Sequence, residues 1–232
     1  MCGIIGFFNY KEARKLTKKG LEIIKNRGLD GRGIVGKDQN YIGHNLHSIV
    51  NLVKQPFRSK DEVFAINGEI YNWKELKQKH NIKARNDSEL VFKLIQRLGL
   101  KALDELDGVY AFVYKKDTKV YLARDIIGVK PIWFSLDERL AFCSEKKALL
   151  KQGITNIEEL NPRLILEYDI KTNKLKLTKR KFFDILPEHK QSHKKIIDKV
   201  KDLSKQAIKK RIPEKEFGIL FSGGIDSTFI AL

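Results

Sequence analysis

The chain has 232 residues, of which 42% are hydrophobic and 32% charged, a balance that fits one large or two small globular domains and disfavours a disordered chain. No apolar run approaches the ~18 residues of a membrane-spanning helix. No secretory leader is expected from the opening residues, and two cysteines, Cys2 and Cys143, exclude a disulfide-built scaffold and suit a reducing cytoplasm. The net charge of +17 is spread along the chain and is densest over 190–215, so it describes a lysine-rich surface; neither nucleic acid nor a membrane is expected as a partner.

In chain order, Gly3–Phe8 reads as a strand apolar on both faces. A helix over 11–26 follows, with Ala13, Leu16, Gly20, Ile23 and Ile24 at helical spacing. A loop with three glycines (26–33) leads to strands at 33–37 and 40–44. Residues 63–66 form a strand ending in the turn-like Asn67-Gly68. Helices are expected at 73–80 and 87–98, the second capped by Asn86 or Asp87 and stopped by Gly99. Strands follow at 109–114, 119–123, 131–135 and 140–144, the signature of packed antiparallel sheets. Asp184 to His189 reads as a linker. A basic amphipathic helix over 192–211, with Ile196, Val200, Leu203, Ala207 and Ile208 inward, ends at Pro213. Phe217 to Phe221 reads as a strand, 222–227 as a glycine loop, and Thr228 as the start of a helix.

Three features carry chemistry. Removal of Met1 would leave Cys2 with a thiol and a free α-amine on one residue, so that the amine, with a pKa of about 7.7–8.0, serves as base for its own nucleophile. A buried cysteine opening a strand is the plainer alternative. Asn67 and the Gly68 N–H after a strand offer two donors for a tetrahedral oxyanion, with Glu69 beside them for an ammonium group; a simple Asn-Gly turn is the alternative. Ser222-Gly223-Gly224-Ile225-Asp226-Ser227 between a strand and a helix is built to let backbone N–H groups approach a pyrophosphate. It lacks the G-x-x-x-x-G-K-[ST] pattern.

Met1-Cys2-Gly3-Ile4-Ile5-Gly6 resembles the start of class II glutamine amidotransferases, and Arg27-Gly28-Leu29-Asp30 is similar to their R-G-P-D loop with Leu29 in place of proline. Asn67 to Asn72, Leu106 to Phe112, Ala123 to Pro131 and Ser144 to Leu149 resemble the asparagine synthetase branch in the same order, and the 222–227 loop resembles the PP-loop of ATP pyrophosphatases. The resemblance implies an α+β fold. A four-layer αββα N-terminal-nucleophile sandwich (2–185) would be followed by a linker helix and the first strand-loop-helix of an α/β PP-loop domain (186–232). It implies catalysis by Cys2, Asn67 and Gly68, and glutamine binding by His47, Ile49, Val50, Asn67, Gly68, Glu69 and Asp87. Arg27 would order the Cys2 loop, with Asp30. Leu220, Ser222, Gly223, Gly224, Asp226 and Ser227 would contact ATP, with Asp226 toward Mg²⁺. Glutamine, aspartate and ATP would be substrates, and the glutaminase half would need no cofactor. Lys130 and 144–149 would lie at the domain junction.

Two departures stand out. The family's G-H-x-R-L-S-I segment reads here Gly43-His44-Asn45-Leu46-His47-Ser48-Ile49, so Leu46 replaces the arginine that clamps the glutamine carboxylate; His47, Arg58 or Arg85 are candidate substitutes. The resemblance also implies roughly 200 further residues of synthetase domain. A split gene with a complementary polypeptide, a partial sequence and a stand-alone glutaminase all remain open, as does a homodimer. A related ligase with another acceptor, a PP-loop RNA-associated protein and a non-catalytic regulator are the rival functions.

Overall fold

The computed structural model describes residues 1–183, 190–213 and 216–231, in two compact units, Met1–Phe183 and Asp184–Leu232. The expected linker at 184–189 and domain boundary at 185/186, together with Lys215 and Leu232, lie outside the described residues.

The first unit runs β1 (Gly3–Phe8), α1 (Ala13–Ile23), β2 (Gly31–Lys37), β3 (Asn40–Leu46), β4 (Phe57–Ser59), β5 (Glu62–Ile70), α2 (Trp73–Lys79), α3 (Asp87–Leu98), β6 (Gly108–Lys116), β7 (Lys119–Arg124), β8 (Trp133–Leu136), β9 (Leu140–Cys143), α4 (Lys146–Leu150), β10 (Glu158–Glu159), β11 (Leu164–Asp169) and β12 (Lys174–Lys179). The strands form two six-stranded sheets, β10-β8-β9-β1-β3-β2 and β12-β11-β7-β6-β5-β4, antiparallel throughout.

Strand alternation divides each sheet between two cores. In β1, Ile4 and Phe8 face the opposite sheet and share the inner core with Ala65 and Val113 of that sheet and with Ile42 and Phe142 of their own. Ile5 and Phe7 face outward, onto Leu21 of α1 and Leu149 of α4. In β5, Val63 and Ala65 look inward; Phe64 and Ile66 pack outward against Leu90 and Leu94 of α3 and Leu76 of α2. The result is helix, sheet, sheet, helix. Phe64 anchors the outer core, stacked on Phe92 at a ring separation of 5.6 Å. Asn86 caps α3 by accepting from the Glu89 N–H at 2.9 Å, as a β-region N-cap should.

Several sequence expectations need correction. Asn67-Gly68 is not a turn: β5 continues through both to Ile70, because β6 pairs with it as far as Gly108. α1 is shorter than 11–26, and its end tightens into a 3-10 turn at Lys25–Arg27. β4, β10, β11 and β12 were not expected at all.

The second unit holds α5 (His193–Lys209) and α6 (Ile225–Ala231). The stripe expected to face inward on α5 is not covered: Ile196, Val200 and Leu203 are 41%, 54% and 54% exposed. Residues 216–222 form no strand, since no described strand lies beside them to supply ladder bonds. α6 begins at Ile225 rather than Thr228; the Thr228 N–H already bonds the Gly224 carbonyl at 3.0 Å. No helix among the described residues is long and apolar enough to cross a membrane.

His44 ties the two sheets together. It lies fully buried on β3, and its Nε2–H donates to the Ile66 carbonyl of β5 at 3.1 Å. Burial, opposed only by that hydrogen bond, lowers its pKa from 6.5 to about 4. The folded state therefore keeps His44 neutral over a range in which the unfolded chain binds a proton, so stability is lost as pH falls below 6.5. Urea unfolding should show stability rising by about 2 kcal/mol from about pH 5 to pH 6.5, above the range of most carboxylates. His44→Gln should flatten that rise.

Candidate active site

The site forms where the N-terminal end of β1 meets the middle of β5. Arg27, on the 3-10 turn after α1, donates from Nε to the Cys2 carbonyl at 2.8 Å and from Nη1 to Glu145 at 3.3 Å. Asn67 points inward from β5, because it shares the alternation of Val63 and Ala65. The hydrogen-bond network fixes its carboxamide orientation: the oxygen accepts from Arg27 Nη2 at 3.1 Å, and the nitrogen donates to the Cys2 carbonyl at 3.1 Å. One carbonyl is thus held both from the turn after α1 and from the opposite sheet. Glu145, paired to Arg27 and to Lys147 at 2.6 Å, balances the guanidinium.

The Cys2 thiol faces the turn after β3. Its sulfur accepts from the His47 N–H at 3.3 Å and lies 3.5 Å from the His47 carbonyl. Asp30 fixes this turn by accepting from the Ser48 N–H at 2.6 Å, with His47 Nδ1 at 3.7 Å from the same oxygen. The expected Arg27–Asp30 partnership is therefore replaced by Arg27–Glu145–Asn67 on one side and Asp30–Ser48 on the other. Burial pushes the Cys2 thiol up, with Asp87 adding to it while Arg27 and the terminal ammonium oppose it. Burial also lowers the Met1 ammonium.

A narrow cleft opens beside the sulfur, lined by Cys2, His47, Ile49, Val50, Gly68, Glu69 and Asp87. The row of N–H groups along the free edge of β5 faces it. Ile66 N–H donates to Gln55 Oε1 at 2.9 Å and Ile70 N–H to Asp87 Oδ2 at 3.0 Å. Strand alternation puts the Gly68 N–H between them on the same edge, with no partner among the described residues. A Cβ at Gly68 would meet the Tyr110 Cβ at 2.6 Å, so glycine is required there. Asp87, in the first turn of α3, is 7% exposed and also takes the Ser88 N–H at 2.7 Å. Burial raises its pKa.

The cleft thus gathers the residues expected around Cys2 except Asn67, which holds the Cys2 carbonyl from behind. Two expected substitutes for an arginine at Leu46 are not among its walls: Arg58 lines a separate cleft with Phe8 and Lys37, and Arg85 sits on Glu89 at 2.8 Å. Sequence reading missed Gln55, Asn51, whose Nδ2 ties the turn to the Arg85 carbonyl at 2.8 Å, and Glu145 as the partner of Arg27. Glu145 lay in a quoted motif; Gln55 and Asn51 had no local signal.

In the second unit the 222–227 loop closes on itself. Ser222 Oγ and Ser227 Oγ are 3.1 Å apart, and Ser227 Oγ donates to the Gly224 carbonyl at 3.0 Å. Gly223 has φ +76°, a conformation that favours glycine, and Leu220 is fully exposed. Among the described residues, no three His, Cys, Asp or Glu gather around Asp226 to hold a metal without a ligand's help.

A family profile described as a glutamine amidotransferase domain matches residues 1–205. The chain belongs to this family. Among curated relatives it is 31% identical over 247 residues to asparagine synthetase B [glutamine-hydrolyzing] of Escherichia coli, covering 100% of this chain and 44% of that protein. It is 32% identical over 253 residues to a probable asparagine synthetase [glutamine-hydrolyzing] of Dictyostelium discoideum, covering 100% of this chain and 45% of that protein. The chain spans about half the length of the curated relatives it matches. Among solved structures, the glutamine phosphoribosylpyrophosphate amidotransferase of B. subtilis, complexed with ADP and GMP, superposes with TM-score 0.68 at 25% identity, over 77% of this chain and 49% of that one. The amidotransferase domain is thus homologous to the glutaminase part of asparagine synthetases.

Arg27→Lys should break the fork that joins Cys2, Asn67 and Glu145, because an ammonium cannot serve three acceptors at these angles. With a charged hydrogen bond worth roughly 1.5–3 kcal/mol, steady-state glutamine hydrolysis should fall about 10- to 100-fold. The unchanged fold would be checked by circular dichroism.

Proposed function

We propose that this chain is the glutaminase part of a glutamine-dependent asparagine synthetase, with Cys2 as nucleophile. The observation that carries this reading is the Cys2 carbonyl gripped by Arg27 and Asn67, with its thiol on a cleft that the Gly68 N–H, Glu69 and Asp87 share.

Once Met1 is removed, the Cys2 α-amine takes the thiol proton and the thiolate attacks the side-chain carbonyl carbon of glutamine. The Gly68 N–H and the second N–H of the Asn67 carboxamide receive the oxyanion; one such donor is typically worth ~3–4 kcal/mol. The amine returns its proton to the leaving nitrogen, and ammonia departs. Water then hydrolyses the thioester to glutamate. Asp87 and Glu69 take the substrate ammonium, while His47 and the backbone at Ile49 and Val50 border the remainder.

The ammonia would amidate ATP-activated aspartate in a synthetase domain that this chain begins. Leu220, Ser222, Gly223, Gly224, Asp226 and Ser227 are the proposed ATP contacts. The remainder of such a synthetase domain would supply the aspartate site. Asp226 would be the carboxylate on this chain that faces a nucleotide-bound Mg²⁺.

The test is glutamate release from L-glutamine by the Met1-free chain. Cys2→Ala should abolish turnover at least about 1,000-fold, and protein with Met1 retained should be equally inactive, since the amine then belongs to the wrong residue. Turnover that survives Cys2→Ala would sink the reading.

A further inference from the structure

The open edge of β5 carries a second donor that the mechanism above does not use. Just ahead of β4, Gln55 stands on this edge, anchored on either side by Val53 and Phe57 in the outer core. Its backbone is pressed against β2, where a Cβ at Gly33 would collide with the Gln55 carbonyl. The side chain is 4% exposed and lines the cleft. Its oxygen orients the carboxamide by accepting from the Ile66 N–H at 2.9 Å, which leaves the nitrogen with two N–H bonds to place. That nitrogen has no hydrogen-bond partner among the described residues. Buried side-chain atoms without a partner occur at Thr17 Oγ1, His44 Nδ1 and Gln152 Oε1, not at Gln55, so its nitrogen borders open space. The neighbouring Ile66 carbonyl is already taken by His44. Toward the start of β5 the edge is covered by β4, which pairs Phe57 with Phe64. The open side is the one toward Gly68, and the Gln55 N–H₂ therefore faces the cleft. Alternate N–H groups on one strand edge stand about 7 Å apart, and the Gln55 carboxamide fills part of the gap between Ile66 and Gly68. An oxygen that accepts from the Gly68 N–H lies within reach of Gln55 Nε2.

We propose that Gln55 is a further catalytic residue, whose Nε2–H joins the Gly68 N–H in binding the side-chain oxygen of glutamine as negative charge gathers on it. This rests on the Cys2 glutaminase reading and deepens it. When the Cys2 sulfur bonds to the side-chain carbonyl carbon, the electron pair of the C=O double bond moves onto the oxygen. It returns when the C–N bond breaks and ammonia leaves with the proton taken from the thiol. The oxygen carries its full charge only between these two events, so a donor fixed beside it acts on the transition state more than on bound glutamine. A carboxamide suits the place. It is neutral, so it adds no charge beside the Asp87 carboxylate. It is also held before substrate arrives, by the Ile66 N–H and by the contact with Gly33, so no reorganisation is needed at the moment of reaction. One side chain then does two things: its oxygen satisfies one N–H of the β5 edge, and its nitrogen supplements the next.

The experiment separates the two halves of this carboxamide in the full chain, Met1 removed, by following ammonia release from L-glutamine in mildly alkaline buffer. Gln55→Glu keeps an oxygen for the Ile66 N–H and replaces the N–H₂ by a second oxygen; an unchanged thermal unfolding curve shows that the tie is kept. Gln55→Met removes both groups and adds no charge. In both variants kcat should fall about 100- to 1,000-fold, the usual effect of losing one oxyanion donor, with KM within about threefold of wild type. The rate of Cys2 alkylation by iodoacetamide, measured against pH, reports the nucleophile without an oxyanion and should be the same in Gln55→Met as in wild type. Gln55→Glu turnover within about threefold of wild type would overturn the inference, since the residue then only ties β5. A loss confined to KM would overturn it too, as would a loss in Gln55→Met matched by an equal loss of alkylation rate. Each of these leaves the glutaminase reading intact. Absence of Cys2-dependent ammonia release in the wild-type chain would overturn both.

Discussion

The grip on the Cys2 carbonyl is the constraint on which the site depends. Arg27 reaches it from the turn that ends α1, and Asn67 reaches it from the opposite sheet. Neither residue can hold the nucleophile unless the sandwich is closed. The Arg27 side chain is only 10% exposed, so its charge has to be answered inside the fold, and Glu145, just past β9, does so. Close packing enforces the geometry. A Cβ at Gly28 would stand 2.5 Å from the Leu46 carbonyl, which keeps the Arg27 turn tight against the end of β3. The core and the nucleophile are therefore set by the same packing, and the site is rigid because the two sheets are.

The cleft exists because β4 is short. It pairs with β5 only over Val63 and its neighbours, from Phe57 to Ser59. Past Phe57 the edge of β5 has no strand beside it, and each exposed N–H needs another acceptor. Gln55 takes the one at Ile66 and Asp87 the one at Ile70. The donor between them, at Gly68, is left facing the cleft. A longer β4 would satisfy it and close the site. The donor that suits a developing oxyanion is a sheet edge left open at one position.

Charge in the cleft couples the nucleophile to whatever binds beside it. Burial raises both the Cys2 thiol and the Asp87 carboxyl, and the Asp87 charge itself opposes the thiolate. A cation settling against Asp87 cancels that opposition and favours the ionised carboxylate.

The sequence made the first unit legible to the extent that its segments carry their own cover. Gly3–Phe8, 87–98 and the strands from β6 to β9 were readable because large apolar residues recur at the right period. β12 was not, since Lys174, Lys176 and Lys179 make it look like a solvated run; its ladder comes from β11, a tertiary fact. Among site residues, Cys2, Asn67, Gly68, Glu69 and Asp87 were singled out through ordered motifs; the cleft gathers all but Asn67, which sits behind it on the Cys2 carbonyl. Gln55, Asn51 and the Arg27–Glu145 pair were not, because each acts across 11 to 118 positions of sequence. The segment from Phe217 to Phe221 fails in the opposite sense. Its pattern is as apolar as β1, yet Phe217, Ile219 and Phe221 are 55%, 47% and 61% exposed, and no described strand pairs with it. Periodicity states which face a segment can bury. Whether it becomes a strand depends on a neighbour with backbone groups to share, and a pattern cannot supply the neighbour.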